Sequence, residues 1–268
     1  MIDPVVSGDW LLEHRDEVVV ADSRWYLDGR SGRDASAAGH LPGAVFVDLD
    51  TALAAHASAQ AGRHPLPPAE EFAAAMSALG IGETDTVVAY DDEGGVIAAR
   101  LVWMLRAVGV GAAFLDGGIA AWPGALDRKP VHRPPASFPA RAWPAELIAS
   151  ADDLDGDAVV VDARNRERFT GDFEPVEQIA GHVPGAVNVP CRENLGSDGR
   201  LLDRYELQRR YESSGITPGD PVISYCGSGV TAAHNLLTLE LAGFGRGRLY
   251  PGSWSQYSRL GRPVATGA

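Results

Sequence analysis

The stretch Pro221-Val222-Ile223-Ser224-Tyr225-Cys226-Gly227-Ser228-Gly229-Val230-Thr231-Ala232 sets a strand-like run against a small-residue loop and the start of a helix. Val222 to Tyr225 is rich in the β-branched and aromatic residues that suit a pleated, buried surface. Gly227 and Gly229 let the loop turn tightly and leave its backbone N–H groups uncovered. The helix predicted beyond them aims its partly positive N-terminus at the sulfur of Cys226. Each feature favours a thiolate, the form in which cysteine acts as a nucleophile. A small buried thiol closing a strand is the competing interpretation, because free cysteines are among the most buried side chains.

The same order occurs once before. Thr86-Val87-Val88-Ala89-Tyr90 leads into Asp91-Asp92-Glu93-Gly94-Gly95, and a long apolar helix is predicted from Val96 to Val108, stopped by Gly109. The correspondence spreads outward in both directions. Val18–Asp22 matches Ala158–Asp162, Gly39-His40-Leu41-Pro42-Gly43-Ala44-Val45 matches Gly181-His182-Val183-Pro184-Gly185-Ala186-Val187, and Gly109 matches Gly243. The separations between matched residues drift by a few positions, as small loop insertions produce. Strands alternating with helices in each half predict an α/β fold, a parallel sheet with helices on both faces, present twice. Between the halves, Pro130, Pro134, Pro135, Pro139 and Pro144 crowd a segment unable to hold a helix or a central strand. It reads as a semi-rigid connector. The expected organisation is an N-terminal domain over 1–125, a linker over 126–144 and a C-terminal domain over 145–268.

The duplication bears on the chemistry. Cys226 stands at the strand-to-helix junction that Asp91 occupies in the first copy. Folds of this class place their sites outside the C-terminal ends of parallel strands. The first copy is therefore expected to be catalytically silent and the second active, with Cys226 as nucleophile.

The totals bound the partners. The 268 residues are 45% hydrophobic and 22% charged, with a formal net charge of −13. Such an acidic chain is a poor partner for nucleic acid or an anionic membrane. No apolar run reaches the length of a membrane span, and Met1-Ile2-Asp3-Pro4 lacks the basic and apolar regions of a signal peptide. Two cysteines, Cys191 and Cys226, are too few to staple a fold of this size, so a reducing, cytoplasmic compartment is expected.

The paired Gly-His-x-Pro-Gly-Ala segments and the Cys-Gly-Ser-Gly-Val-Thr-Ala loop resemble the two-domain rhodanese-like sulfurtransferases, over essentially the whole chain. The resemblance implies two tandem rhodanese-like domains, no cofactor and no metal. It also implies a ping-pong transfer in which Cys226 takes sulfur from a small anionic donor as a persulfide. A thiol, cyanide or a thioredoxin-like protein then removes it. The loop looks like the 3-mercaptopyruvate branch, since thiosulfate-using members carry basic residues where this chain has Gly227 and Ser228; thiosulfate is the alternative donor.

Further roles follow from the same resemblance. Gly227, Gly229, Val230 and Thr231 surround the transferred sulfur. Ser228 matches the serine of a Ser-His-Asp relay, with His40 as its histidine and Asp34 as its aspartate, while His182 in the equivalent turn of the other copy points to a turn-holding role as the alternative for His40. Arg168 matches one of two arginines that hold the donor's anionic end, for which a guanidinium is suited by its two parallel N–H donors. The second is absent from Glu174-Pro175-Val176-Glu177-Gln178, leaving Arg164 or Arg166 to compensate. Asp22 and Asp162 are expected to fix local backbone, Cys191 to be structural, Trp25 and Trp254 to wall the site or pack in the core, and Arg63-His64-Pro65 to have no chemical role. A cysteine phosphatase would need an arginine six residues after the nucleophile, where Ala232 stands. A binding module without catalysis leaves the intact cysteine loop unexplained.

Overall fold

The computed structural model describes residues 2–267, which fall into two compact units. In the first, the apolar runs form strands β1 (Val5–Val6), β2 (Val19–Asp22), β3 (Val45–Phe46), β4 (Thr86–Tyr90) and β5 (Gly111–Leu115), all paired in parallel in the order β1-β5-β4-β2-β3. In the second, β6 (Val159–Asp162), β7 (Val187–Asn188), β8 (Val222–Tyr225) and β9 (Arg248–Leu249) are parallel in the order β7-β6-β8-β9. A single parallel bridge from Ile148 to Leu249 stands where β1 stands in the first unit. The registers coincide as well, Asp22 lying opposite Tyr90 and Asp162 opposite Tyr225. Strands β2 and β8 are buried along their whole length, which only a sheet covered on both faces allows.

Helices follow the central strands. The one after β4 runs Ala99–Ala107 and is buried all round. It starts three residues after the predicted Val96, because Gly94 and Gly95 take positive φ and the chain turns through 95–98 first. Its two arginines reach carbonyls, Arg106 donating to Ile2 at 2.7 Å and Arg100 to Leu53 at 3.1 Å. The helix after β8 runs Ala232–Ala242 and ends on Gly243, whose φ of 92° supplies the left-handed cap that other residues resist.

The proline-rich segment departs from the expected linker. Up to Trp143 it belongs to the first unit. Phe138 packs edge-on against Phe72 of the helix Ala69–Ala78, Trp143 packs on the same ring, and Arg141 donates to the carbonyl of Val108. Extended proline-rich chain has no internal hydrogen bonds to lose, so apolar anchors suffice to lay it on a surface. Two loops also change allegiance. His56–Leu66 belongs to the second unit, and Gly196–Leu201 to the first, where the N–H of Leu201 donates to Asp116 at 2.7 Å.

Candidate active site

Each sheet carries a buried ionic frame at the C-terminal end of its central strands. In the second unit Arg164 forks onto Asp162, with Nη2 to Oδ2 at 2.6 Å, and also donates to the carbonyl of Gly181 at 2.7 Å. The N–H of Val183 donates to the Tyr225 hydroxyl at 3.1 Å. The frame thus fixes the Gly-His-x-Pro-Gly turn to the strand that leads into Cys226. The first unit repeats it through Arg24, Asp22, Gly39, Leu41 and Tyr90. These aspartates hold backbone, as the sequence suggested.

Cys226 follows directly on β8 and is buried. The N–H of Gly229 donates to its Sγ at 3.1 Å. Burial pushes the thiol upward in pKa. The Thr231 hydroxyl and the N–H groups of Ser228, Ala232 and Gly229 more than offset this, leaving Cys226 below an ordinary thiol. The loop is pinned from behind by one turn. Its Cys226 N–H donates to Ser253 Oγ, while the N–H groups of Trp254 and Ser255 donate to the carbonyls of Cys226 and Gly227. Ser253 holds a φ of 50°, alone among the described non-glycine residues in taking a positive value. Its counterpart in the first unit is Gly118, at φ 57°. A side chain in this region carries a strain of about 1 kcal/mol or more, here offset by the hydrogen bonds the hydroxyl makes.

The first unit displays what this loop is built to hold. Asp91, at the position of Cys226, is fully buried and takes four backbone N–H bonds: from Glu93 and Gly95 at 2.8 Å each, Ile97 at 2.6 Å and Ala98 at 2.8 Å. Burial raises its pKa, and the four donors offset that only in part. Each carboxyl oxygen accepts two of the four donors, an arrangement that favours the anionic form. The strand–loop–helix junction is an anion cradle in both units. One is filled by a side chain of its own, and the other presents a sulfur.

The surroundings of Cys226 correct three sequence expectations. The histidine hydrogen-bonded to Ser228 is His64, whose Nδ1 lies 2.8 Å from Ser228 Oγ with both side chains buried. His40, the histidine assigned by resemblance, donates instead from Nδ1 to the carbonyl of Ser36 at 2.8 Å, and its backbone pairs with Asp127. It holds a turn, as His182 does through the carbonyl of Phe169. Asp34 is exposed in the first turn of the helix Gly32–Ala38, where its N–H is capped by Ser31.

Arg63-His64-Pro65 is the second correction, since both basic residues reach the cysteine loop. The His56–Leu66 segment docks through the N–H of Arg63, which donates to Ser255 Oγ at 3.0 Å, and through Gln256, whose amide donates to the Gln60 carbonyl. Gly62, at φ 89°, comes so close that a Cβ would lie 2.6 Å from the carbonyl oxygen of Gly252.

The cationic side chains are the third. A Cβ on Gly227 would lie 3.0 Å from Arg63 Nη2 and 3.4 Å from Arg168 Nη1, so two guanidiniums converge on the residue after the nucleophile. Arg168 is braced by Glu174 and Arg63 by Glu177, each at 2.7 Å. Burial raises the pKa of Glu174, but Arg168 and the N–H groups of Val176 and Glu177 outweigh it and keep the group a carboxylate. Arg164 cannot compensate for a missing arginine, being spent on Asp162, Glu174 and the Gly181 carbonyl. Arg166 pairs with Glu193 at the surface. Trp254 is buried beneath Arg164, with its Nε1 donating to Ile179, and acts as core. Trp25 donates to Asp50 in the first unit. Cys191 is buried at the start of a 3-10 turn, with its N–H donating to the Ala163 carbonyl. Among the described residues no cluster of side chains is suited to a metal, and no helix is long and apolar enough to cross a membrane.

Two parallel α/β units, each with a strand-end anion cradle and only one with a cysteine, define a class. The chain belongs to the rhodanese-like family, whose domain profile matches residues 7–125 and again 144–260. Among individual proteins, it is 41% identical to the probable 3-mercaptopyruvate sulfurtransferase of Pseudomonas aeruginosa, over 94% of this chain and 93% of that protein. It is 38% identical to the putative thiosulfate sulfurtransferase SseB of Mycobacterium tuberculosis, over 96% of this chain and 94% of that one. The crystal structure of the 3-mercaptopyruvate sulfurtransferase SseA from Escherichia coli superposes with a TM-score of 0.82 at 36% identity, covering 95% of this chain and all of that one.

Proposed function

We propose that this chain, a sulfurtransferase, moves sulfur from 3-mercaptopyruvate to a thiophilic acceptor through a persulfide on Cys226. The observation that carries the reading is the cradle: Cys226 Sγ accepts backbone N–H donors where the twin loop holds a full carboxylate. A thiolate and a terminal persulfide are anions, and preorganised N–H groups stabilise them without an acid or a metal.

The Cys226 thiolate attacks the thiol sulfur of the donor. An S–S bond forms as the C–S bond breaks, and the electron pair of that bond passes to C3, giving the enolate of pyruvate. The thiol proton ends on C3, and the negative charge rests on the outer sulfur of the persulfide. Ser228, hydrogen-bonded to His64, is placed beside the nucleophile to pass that proton. Arg168 holds the donor carboxylate. An acceptor thiolate then attacks the outer sulfur and releases Cys226 as thiolate.

The test is intact-mass spectrometry after incubation with 3-mercaptopyruvate or with thiosulfate, with kcat/KM measured for each donor. One added sulfur atom on the protein, absent in Cys226→Ser, and a preference for 3-mercaptopyruvate are expected. No adduct with either donor refutes the persulfide, and a preference for thiosulfate refutes the choice of donor.

A further inference from the structure

The donor-binding arginine that the second half of the sequence lacks has a replacement in the first half. Resting on the reading of Cys226 as sulfur carrier, we infer that Arg63 is the second guanidinium of the donor site, and that it acts with Arg168 to hold a monoanionic carboxylate over Gly227.

Three observations support this. Both side chains approach one point, the place a Cβ of Gly227 would fill, at 3.0 Å for Arg63 Nη2 and 3.4 Å for Arg168 Nη1. Glycine leaves that point open, directly beside the nucleophile. Next, each guanidinium is braced on one side only. Arg63 gives Nε to Glu177, and Arg168 gives Nε and Nη2 to Glu174. The glutamate side chains are 1% and 2% exposed, while the arginines keep 23% and 12%. The buried carboxylates therefore aim the forks, and the N–H groups facing Gly227 remain for a ligand. Finally, the charge is counted out. Four guanidiniums, Arg63, Arg164, Arg168 and Arg259, share the three carboxylates Asp162, Glu174 and Glu177, an excess of one positive charge. Beside an anionic sulfur, that excess matches a single carboxylate and makes a poor host for a dianion.

The inference can be tested without sulfur transfer, using two alkylating agents that differ in charge. Iodoacetate brings a carboxylate to Cys226 and iodoacetamide does not. Their rate ratio at one pH reports anion binding at the loop, with the thiolate fraction cancelled. In Arg63→Gln the ratio is expected to fall about tenfold, the scale of one lost charge-assisted hydrogen bond. Arg63→Lys should restore part of it, and Arg166→Gln, which removes a positive charge elsewhere on the same unit, should leave it unchanged. In steady state, Arg63→Gln should raise KM for 3-mercaptopyruvate about tenfold with a smaller change in kcat. An unchanged alkylation ratio in Arg63→Gln overturns the role of Arg63 even where the persulfide forms normally. A fallen ratio in a protein that gains no sulfur from 3-mercaptopyruvate upholds Arg63 as anion holder and refutes the donor instead.

Discussion

At the scale of single residues, the reactivity of Cys226 is a contest between burial and hydrogen bonding. Burial disfavours the thiolate, and the donors that overcome it are headed by the Thr231 hydroxyl. The sign of the pH dependence follows. Alkylation tracks the thiolate fraction, so its rate rises with pH through the thiol pKa, and a lowered pKa places that rise to the acid side of an ordinary thiol. Thr231→Val removes a donor to the charged form while keeping the shape. Its profile of iodoacetamide alkylation should therefore move to higher pH by about one unit, the scale of one hydrogen bond to a charged group. A profile that stays in place would mean the backbone donors alone set the pKa. Ser253 is the other residue whose geometry exceeds its local preferences. Its left-handed backbone is retained because its hydroxyl takes the Cys226 N–H and donates in turn to the Tyr250 carbonyl.

At the scale of elements, the two strand–loop–helix junctions are one design with two occupants. Asp91 closes the first cradle as a permanent ligand. Asp91→Asn would set an amide N–H₂ against backbone donors and leave at least one of them unsatisfied. A loss of about 1–3 kcal/mol in urea-induced unfolding is expected, with sulfur transfer unaffected if Cys226 is the sole carrier. Unchanged stability would show that the four N–H bonds contribute nothing net. The β-branched strands and the glycine stops were legible in the sequence because their signals are local. The start of the helix Ala99–Ala107 was not, since Val96 to Ala98 are as apolar as the helix itself and only the positive φ of Gly94 and Gly95 sets the turn. The proline-rich stretch was correctly read as neither helix nor strand. Its membership of the first unit depends on Phe138 and Trp143 meeting Phe72, a contact between residues far apart in the chain.

At the scale of the whole molecule, the second unit is completed by a loop from the first repeat. His56–Leu66 carries Arg63 and His64 to Ser255, Ser228 and Gly227. Gly62 permits the docking, having both the left-handed backbone and the missing Cβ that the approach to Gly252 requires. Gly62→Val should displace the loop and lower kcat/KM about 10²-fold, the cost of misplacing groups by about 1 Å. The rate of Cys226 alkylation by iodoacetamide should hold, because the cradle itself is untouched. Equal losses in both measurements would mean that the loop supports the cradle as well.

The sequence by itself determined the duplicated α/β architecture and the shared strand-end position of Cys226 and Asp91, because repeats, periodic apolar runs and the Cys-Gly-Ser-Gly loop are written over neighbouring residues. Only the tertiary structure decided which histidine meets Ser228 and where a second guanidinium comes from. His40 stands two residues before Pro42 in a turn repeated at His182, which marks it as a turn residue, but nothing local directs His64, next to Pro65, to Ser228. The distinction arises when a loop from the first repeat folds into the second unit, through contacts spanning more than half the chain.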